Sequence, residues 1–407
     1  MRHSGAVGGN AAFIYDAIRT PRARAKENGG LHALTPLDLL KKLYAAIASR
    51  NSLDVDAVGE VVLGCVTQFG EQAGNIAKTS SLYAGWPSHL SGITVNRFCS
   101  SGLDAVNFAA LKVMAGQETL AIGGGIEMMS RVPMLSDKPA TFMDIPTAIK
   151  ARILMMGSGA DLIASLYDIS REQADNIAYQ SQQRADRART NGWFTSIVPV
   201  HDEKKGVNCE ADECIRANVT PESLAAMEPS FAAMGAQGVD AMQLSAYPHL
   251  KEIRHVHTAG NSPAMADAAS MVLVGNEAAA AHLAGSPRAR IVAAANTGDD
   301  PMMVLSGAVA ATAKLMKQEK LTANDVDLFE IHEAFAATVI KAQRDLDIPD
   351  EKINVNGGVI ALGHPLGATG AIMLSTLLDE MERRNVRRGI VAASGAAGGG
   401  AAMLIER

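Results

Sequence analysis

Cysteine, aromatic side chains, net charge and long apolar runs are all in short supply in this chain, and each shortage removes a class of protein. Its four cysteines, Cys65, Cys99, Cys209 and Cys214, are too few and too irregularly spaced for a disulfide framework. Cys209 and Cys214 stand near His201 and Asp202. A C-x4-C spacing without a second pair fits structural zinc poorly, so no metal is expected. Lys and Arg number 37 against 43 Asp and Glu, which implies no polycationic surface and no nucleic-acid partner. No apolar run is long enough to span a bilayer. The opening MRHSGAVGGNAAFIYDAIRTPRARA lacks the apolar core of a signal peptide, so a cytoplasmic protein without membrane insertion is expected. The basic stretch 19–26 reads as a charged loop leaving a strand. The glycine runs GGGIE after Ile122 and GAAGGG after Ser394 lack the spacing, and the following helix, of a dinucleotide fingerprint.

What is present is small and apolar: 48% hydrophobic residues, with many Ala, Gly and Met. That composition suits helices packed closely on a sheet, and 407 residues suit two or three packed units. A buried strand is expected at 11–18. A helix should follow with Thr35 as N-cap and Pro36 at its first position. Further elements are expected as a strand at 58–65, helix at 75–85, strand at 93–96, helix at 102–115 and strand at 119–123. The rhythm returns with a strand at 289–295, helix at 307–320, strand at 326–331, helix at 334–346, short strand at 354–356, helix at 370–382 and strand at 389–393. Such alternation predicts α/β layers with parallel strands. The repeated order predicts two duplicated βαβαβ halves. Residues 1–130 with 257–283 form the first and 284–407 the second, with a loop domain at 131–256 inserted between. Within the insert, 170–191 reads as one long helix opened by a Ser170–Gln173 capping box.

Four residues stand where chemistry could be done. Cys99, in NRFCSSGL, lies between a strand and a helix, where the helix dipole favours a thiolate; a buried structural cysteine fits the pattern equally well. His364, in GGVIALGHPLGATG, is set among glycines, Gly363 included, that leave room for backbone to approach a substrate. His332, in VDLFEIHEAFAATVI, ends an apolar strand, and Glu333 could serve only to cap the next helix. Ser394 in isolation is one serine before a glycine-rich turn.

The order and spacing of these segments resemble the thiolase family over essentially the whole chain. NRFCSSGL, HEAFA at 332–336 and GGVIALGHPLGATG match three of its four signature blocks. RTPRAR, GADLIASLYDISREQAD and HTAGN at 257–261 match weaker ones. The resemblance implies a five-layered α-β-α-β-α core and a homodimer or homotetramer, and it leaves open a hydratase or dehydrogenase partner. It implies acyl-CoA and coenzyme A as substrates, with no tightly bound cofactor. Cys99 would carry the acyl group, His364 would take its proton, and His332 with His364 would hold the thioester oxygen. The N–H groups of Cys99 and Ala396 would form a second oxyanion site, and Phe335 and Met156 would line the acyl pocket.

The sequence departs from the family pattern in three places. Ser394 stands where most members have a second cysteine as acid/base. A hydroxyl is far less acidic than a thiol, so turnover about 10²–10⁴-fold lower is expected. His332 replaces the Asn of many biosynthetic members, which points towards longer or bulkier 3-ketoacyl-CoA. Pro263 and Ala268 replace a serine and a glycine of the segment that meets the CoA arm. Two other readings remain: a thiolase-like acyl-CoA-binding protein that turns over slowly or not at all, and a Cys–His hydrolase that releases free acid.

Overall fold

The structure, a computed structural model, describes residues 10–407; the first nine residues of the expected N-terminal half lie outside the described residues. Nine strands form one hydrogen-bonded path. Its order is Ser91–Val95, Val58–Gly64, Leu120–Met128, Ala266–Gly275, Ala12–Arg19, Ala289–Gly298, Gly399–Glu406, Arg388–Ser394 and Leu328–Ile331. A tenth, Ala23–Arg24, pairs with Ala266–Gly275 off that path.

The path reads as two copies of one half-sheet joined where Ala12–Ile14 meets Ala289–Ile291. In the first copy, Val58–Gly64 runs parallel to Leu120–Met128, which is antiparallel to Ala266–Gly275, itself antiparallel to Ala12–Arg19. In the second, Leu328–Ile331, Arg388–Ser394, Gly399–Glu406 and Ala289–Gly298 repeat those senses in that order. The duplication is therefore present, but its unit is longer than βαβαβ. Each half adds a third helix and closes on an antiparallel strand, so the sheet is mixed rather than parallel. The short strand expected at 354–356 is reduced to one bridge, Ile353 on Phe329, where the first half has Ser91–Val95.

Strand residues alternate between two helical layers, as a period of two requires. Ile390 and Ala392 join Val309, Leu315, Val339 and Ile340 of the outer helices Gly307–Glu319 and Ala336–Leu346. Val391 and Ala393 face inward, to Val106, Val113, Leu374 and Leu377 of Ser101–Met114 and Thr369–Arg384. These two helices form the central layer, and Pro36–Asn51 covers the far face of the first half-sheet through Leu39, Leu43 and Ile47. Five layers result, α-β-α-β-α. The central helices meet at their N-terminal ends because Gly102 and Gly370 have no side chain. A Cβ on Gly102 would lie 2.7 Å from the Gly367 carbonyl oxygen, and one on Gly370 would lie 2.6 Å from Leu103.

Local signals act as their chemistry dictates. Thr35 caps Pro36–Asn51 in a capping box with Asp38, and Ser170 caps Arg171–Thr190 with Gln173. Between Leu120–Met128 and Ala266–Gly275 the chain makes its excursion, with Met156–Leu166 and Arg171–Thr190 packed on Ala336–Leu346. The expectation of a charged exit loop at 19–26 is overturned at two residues. Arg19 is fully buried in a bidentate pair with Asp212, at 2.7 and 2.9 Å, and Arg22 is buried beside it. Both are internal because their carboxylate partner arrives from the excursion. Among the described residues, no helix is long and apolar enough to cross a membrane.

Candidate active site

Cys99 occupies a tight turn between Ser91–Val95 and Ser101–Met114. Phe98, just before it, sits in the left-handed region at φ 49°, a conformation that costs a non-glycine residue about 1–2 kcal/mol. Three side chains hold it there. Asn96 Oδ1 accepts from the Phe98 N–H at 2.8 Å, Ser101 Oγ accepts from the Arg97 N–H at 2.8 Å, and Ser100 Oγ donates to the Ala393 carbonyl at 3.1 Å. The last bond ties the nucleophile turn of one half to a strand of the other.

The thiol is buried, and burial, aided by the charge of Glu127, pushes its pKa up to about 12. The pull of the helix dipole towards a thiolate is outweighed: a helix terminus contributes at most about 2 kcal/mol, less than the desolvation it opposes here. Cys99 needs a base.

His364 supplies one in position. Its N–H donates to the Ala264 carbonyl at 2.7 Å, and its Nδ1 is bonded to Thr369 Oγ1 at 2.7 Å. With Nδ1–H donated to that hydroxyl, Nε2 carries the free lone pair. Burial first, then His332 and Arg22, hold the imidazole well below its usual pKa, so it is neutral and ready to accept a proton. Gly363, at φ 98°, makes the turn possible; a Cβ there would lie 2.9 Å from that of Ala266 and 3.0 Å from Cys214 Sγ. Its carbonyl accepts from Arg22 Nη1 at 3.2 Å. Gly363 thus shapes the histidine turn and does not line the cavity, contrary to the expectation that it touches substrate.

The His332 ring centroid lies 4.6 Å from that of His364. Among the described residues, neither buried ring nitrogen of His332 has a hydrogen-bond partner of good geometry; burial lowers its pKa to about 4, and the Ser394 backbone close by partly offsets this. A neutral imidazole buried in this way keeps an N–H free to donate to a ligand oxygen. Its loop is pinned from outside by the HTAGN segment. His257 Nδ1 bonds Asp161 at 2.7 Å, its Nε2 accepts from the Ala337 N–H at 3.3 Å, and the Asn261 carbonyl accepts from the Ala336 N–H at 3.3 Å.

Cys99, His332, His364, Phe335, Met156 and Ala396 all line one cavity of about 310 Å3, as does Pro263. Among the described hydrogen bonds, the N–H groups of Cys99 and Ala396 donate to no other backbone group. Ser394 is not part of this lining. Its hydroxyl donates to the Leu305 carbonyl at 2.7 Å and accepts from the Ala308 N–H at 2.9 Å, securing the start of Gly307–Glu319. Ala268 is also remote, packed in the interior on Ala368 and Ile372.

Two buried carboxylates act as clamps; Glu127 was not anticipated, and Glu333, read as a possible helix cap, does not cap the next helix, whose N-cap is Phe335. Glu127 accepts from the N–H groups of Val66, Thr67 and Gly367 and from Gln72 Nε2, all at 2.8–3.1 Å, clamping the His364 loop to the loop after Val58–Gly64. Glu333 accepts from Ser181 Oγ, Asn354 Nδ2 and the Ile360 N–H, joining the His332 loop to the glycines before His364. An acid inside the otherwise apolar GGGIEMM was the available signal for the first.

A duplicated α/β protein with a neutral cysteine and two neutral histidines at the junction of its halves defines a cysteine-dependent group-transfer enzyme. The comparisons with known proteins specify it. Residues 12–246 match the thiolase N-terminal domain and residues 285–407 the thiolase C-terminal domain. The chain is 37% identical to the 3-oxoadipyl-CoA/3-oxo-5,6-dehydrosuberyl-CoA thiolase of Escherichia coli strain K12, over 97% of this chain and 99% of that one. It is 38% identical to the 3-ketoacyl-CoA thiolase of Serratia proteamaculans strain 568, over 97% and 98%. It superposes on the crystal structure of Bacillus anthracis acetyl-CoA acetyltransferase with a TM-score of 0.84 and 31% identity, over 98% and 99% of the two chains. The chain belongs to the thiolase family of acyltransferases.

Proposed function

We propose that the protein cleaves a 3-ketoacyl-CoA with coenzyme A, or runs the reverse condensation, through an acyl group carried on Cys99. His364 Nε2 takes the thiol proton, and the sulfur attacks the C3 carbonyl. The oxyanion forms between the N–H groups of Cys99 and Ala396. The C2–C3 bond then breaks and its electron pair leaves as the enolate of acetyl-CoA, whose thioester oxygen accepts from the His332 N–H. His364 returns the proton to C2. Coenzyme A next gives its thiol proton to His364 and attacks the acyl-Cys99 thioester, releasing the shortened acyl-CoA and restoring the thiol. Coenzyme A is thus a substrate and not a resident cofactor.

The observation that carries this reading is the buried His332 imidazole, without a well-formed hydrogen bond among the described residues, beside His364 in the cavity that holds Cys99. Peptide mapping by mass spectrometry after incubation with an acyl-CoA should find the acyl mass on Cys99 and none in Cys99→Ser. An acyl group elsewhere, or stoichiometric free acid in the presence of coenzyme A, would overturn it in favour of the hydrolase.

The finer reading concerns Ser394. With the Ser394 hydroxyl engaged by Leu305 and Ala308, one base serves every proton transfer where most family members have a second thiol, and we infer a slower turnover from that. Ser394→Cys should raise thiolysis of acetoacetyl-CoA by about 10²-fold or more. Equal rates would remove the assignment of residue 394 to proton transfer.

The edge strand Ser91–Val95 carries Ile93 at 47% exposure, with Leu82, Tyr83 and Leu111 also exposed on the helices beside it. An open apolar edge invites pairing, and we place the homodimer contact there. Ile93→Lys should shift the protein to monomer in light scattering.

A further inference from the structure

Resting on that reading, we infer that the acyl chamber takes an uncharged, apolar 3-ketoacyl chain and rejects one ending in a carboxylate, its wall being the Phe231 ring seated against Gly157. The two relatives described above divide on this very point, one named for dicarboxylic substrates and the other simply for 3-ketoacyl-CoA.

Among the described residues, the cavity lining holds no lysine and no arginine, and its one charged side chain, Asp137, is negative. Phenylalanines and methionines make up much of the remaining wall, Met134, Met155, Met156 and Met234 among them. A carboxylate entering such a chamber loses its water and gains no counter-ion, which is a large penalty. A methyl terminus gains the contact instead, and methionines adapt to chains of different length.

One feature could still have served an anion: the first turn of Met156–Leu166, whose N-cap Met155 makes no side-chain bond. Phe231 closes it. A Cβ on Gly157 would lie 2.2 Å from Phe231 Cζ, so the ring lies directly on the glycine. Phe335 packs edge-on against the same ring, at 5.8 Å between centroids. The absence of a side chain at 157 is thus what lets an aromatic ring cover a helix end that would otherwise face the ligand. Phe98 and Phe142 make a second edge-on pair in the same lining, at 6.4 Å.

The test compares 3-oxohexanoyl-CoA with 3-oxoadipyl-CoA, which carries a terminal carboxylate on the same six-carbon chain, with acetoacetyl-CoA as control. kcat/KM should favour 3-oxohexanoyl-CoA by about 10²-fold or more. Met234→Arg, which places a cation in the lining, should narrow that ratio by at least about tenfold. Competition binding of hexanoyl-CoA against adipyl-CoA should give the same order without turnover. Acetoacetyl-CoA cleavage together with equal or better use of 3-oxoadipyl-CoA overturns the chamber assignment and leaves the acyltransferase reading standing. No acyl transfer from any of the three substrates overturns both.

Discussion

The carboxylate of Glu127 accepts a hydrogen bond from the backbone N–H of Gly367 at 2.9 Å, joining residues 240 positions apart. The same carboxylate holds the Val66 and Thr67 N–H groups, so the loop bearing His364 is fixed to the first half of the molecule by one buried side chain. Glu127→Ala leaves three backbone donors and Gln72 unsatisfied. A loss of about 2–4 kcal/mol in chemical denaturation is expected, with kcat falling more than KM rises. A variant of unchanged stability would show that the clamp is dispensable.

Gly363→Ala acts on the other side of that histidine. The backbone at φ 98° admits no β-carbon without strain, and Cys214 Sγ stands 3.0 Å from where it would go. The His364 turn should shift, with activity down at least about tenfold and little change in helix content. Wild-type kinetics in a folded variant would contradict the assignment.

The pH profile follows from the neutral histidine. His364 is held well below the ordinary 6.5, so it stays an effective base as the medium is acidified. The acid limb of kcat/KM should therefore fall below pH 6.5 rather than near neutrality. A limb centred above that value would mean that the imidazole is solvated in solution.

His332 makes a separate prediction about stability. Its pKa falls from 6.5 in the unfolded chain to about 4 in the fold. Between those values the unfolded chain holds a proton that the native state lacks. Stability is thus fully present above pH 6.5 and is lost as pH drops towards 4. His332→Asn should flatten that part of the curve measured by urea denaturation. An unchanged slope would assign the acid sensitivity to other groups.

His255 titrates in the opposite sense. It bridges Asp161 at 2.8 Å and Asp240 at 3.1 Å, and although burial opposes protonation, the two carboxylates raise its pKa. The bridge is complete below the unfolded value of 6.5 and is lost as pH rises through the folded one. Protection factors across 231–246, the segment carrying Phe231 and Met234, taken relative to the base-catalysed intrinsic exchange, should fall with alkalinity. In His255→Gln they should no longer change with pH in this range.

Sequence alone singled out Cys99, His332 and His364, which the structure brings to one cavity, because each lies in a short local signature whose turn and cap chemistry is written nearby. It also gave the duplication, since pattern order survives when identity does not. It missed the strand Ala266–Gly275, where ADAASMVLVG is buried on both faces and shows no alternation. Arg19 and Arg22 were misread because Asp212 is remote in the chain. The strength of the opposition to a thiolate at Cys99 was hidden for a related reason: a helix terminus is visible in sequence, whereas burial is a property of the assembled fold. Residue 394 was identified by its place in a motif, but only the structure shows its hydroxyl satisfied by Leu305 and Ala308.

The position of Ala266–Gly275, between Leu120–Met128 and Ala12–Arg19, sets the order of events at the ribosome. The first half-sheet lacks a central strand until residue 275 has left the exit tunnel, so its early strands wait with unpaired edges while the whole excursion is made. During that interval they are open to wrong partners. Nascent chains stalled at residue 260 should be digested readily, while chains long enough to expose residue 290 should resist. The long detour that brings Phe231, Met156 and His257 to the site thus keeps the strand edges of the newborn polypeptide open for longer than an uninterrupted half would.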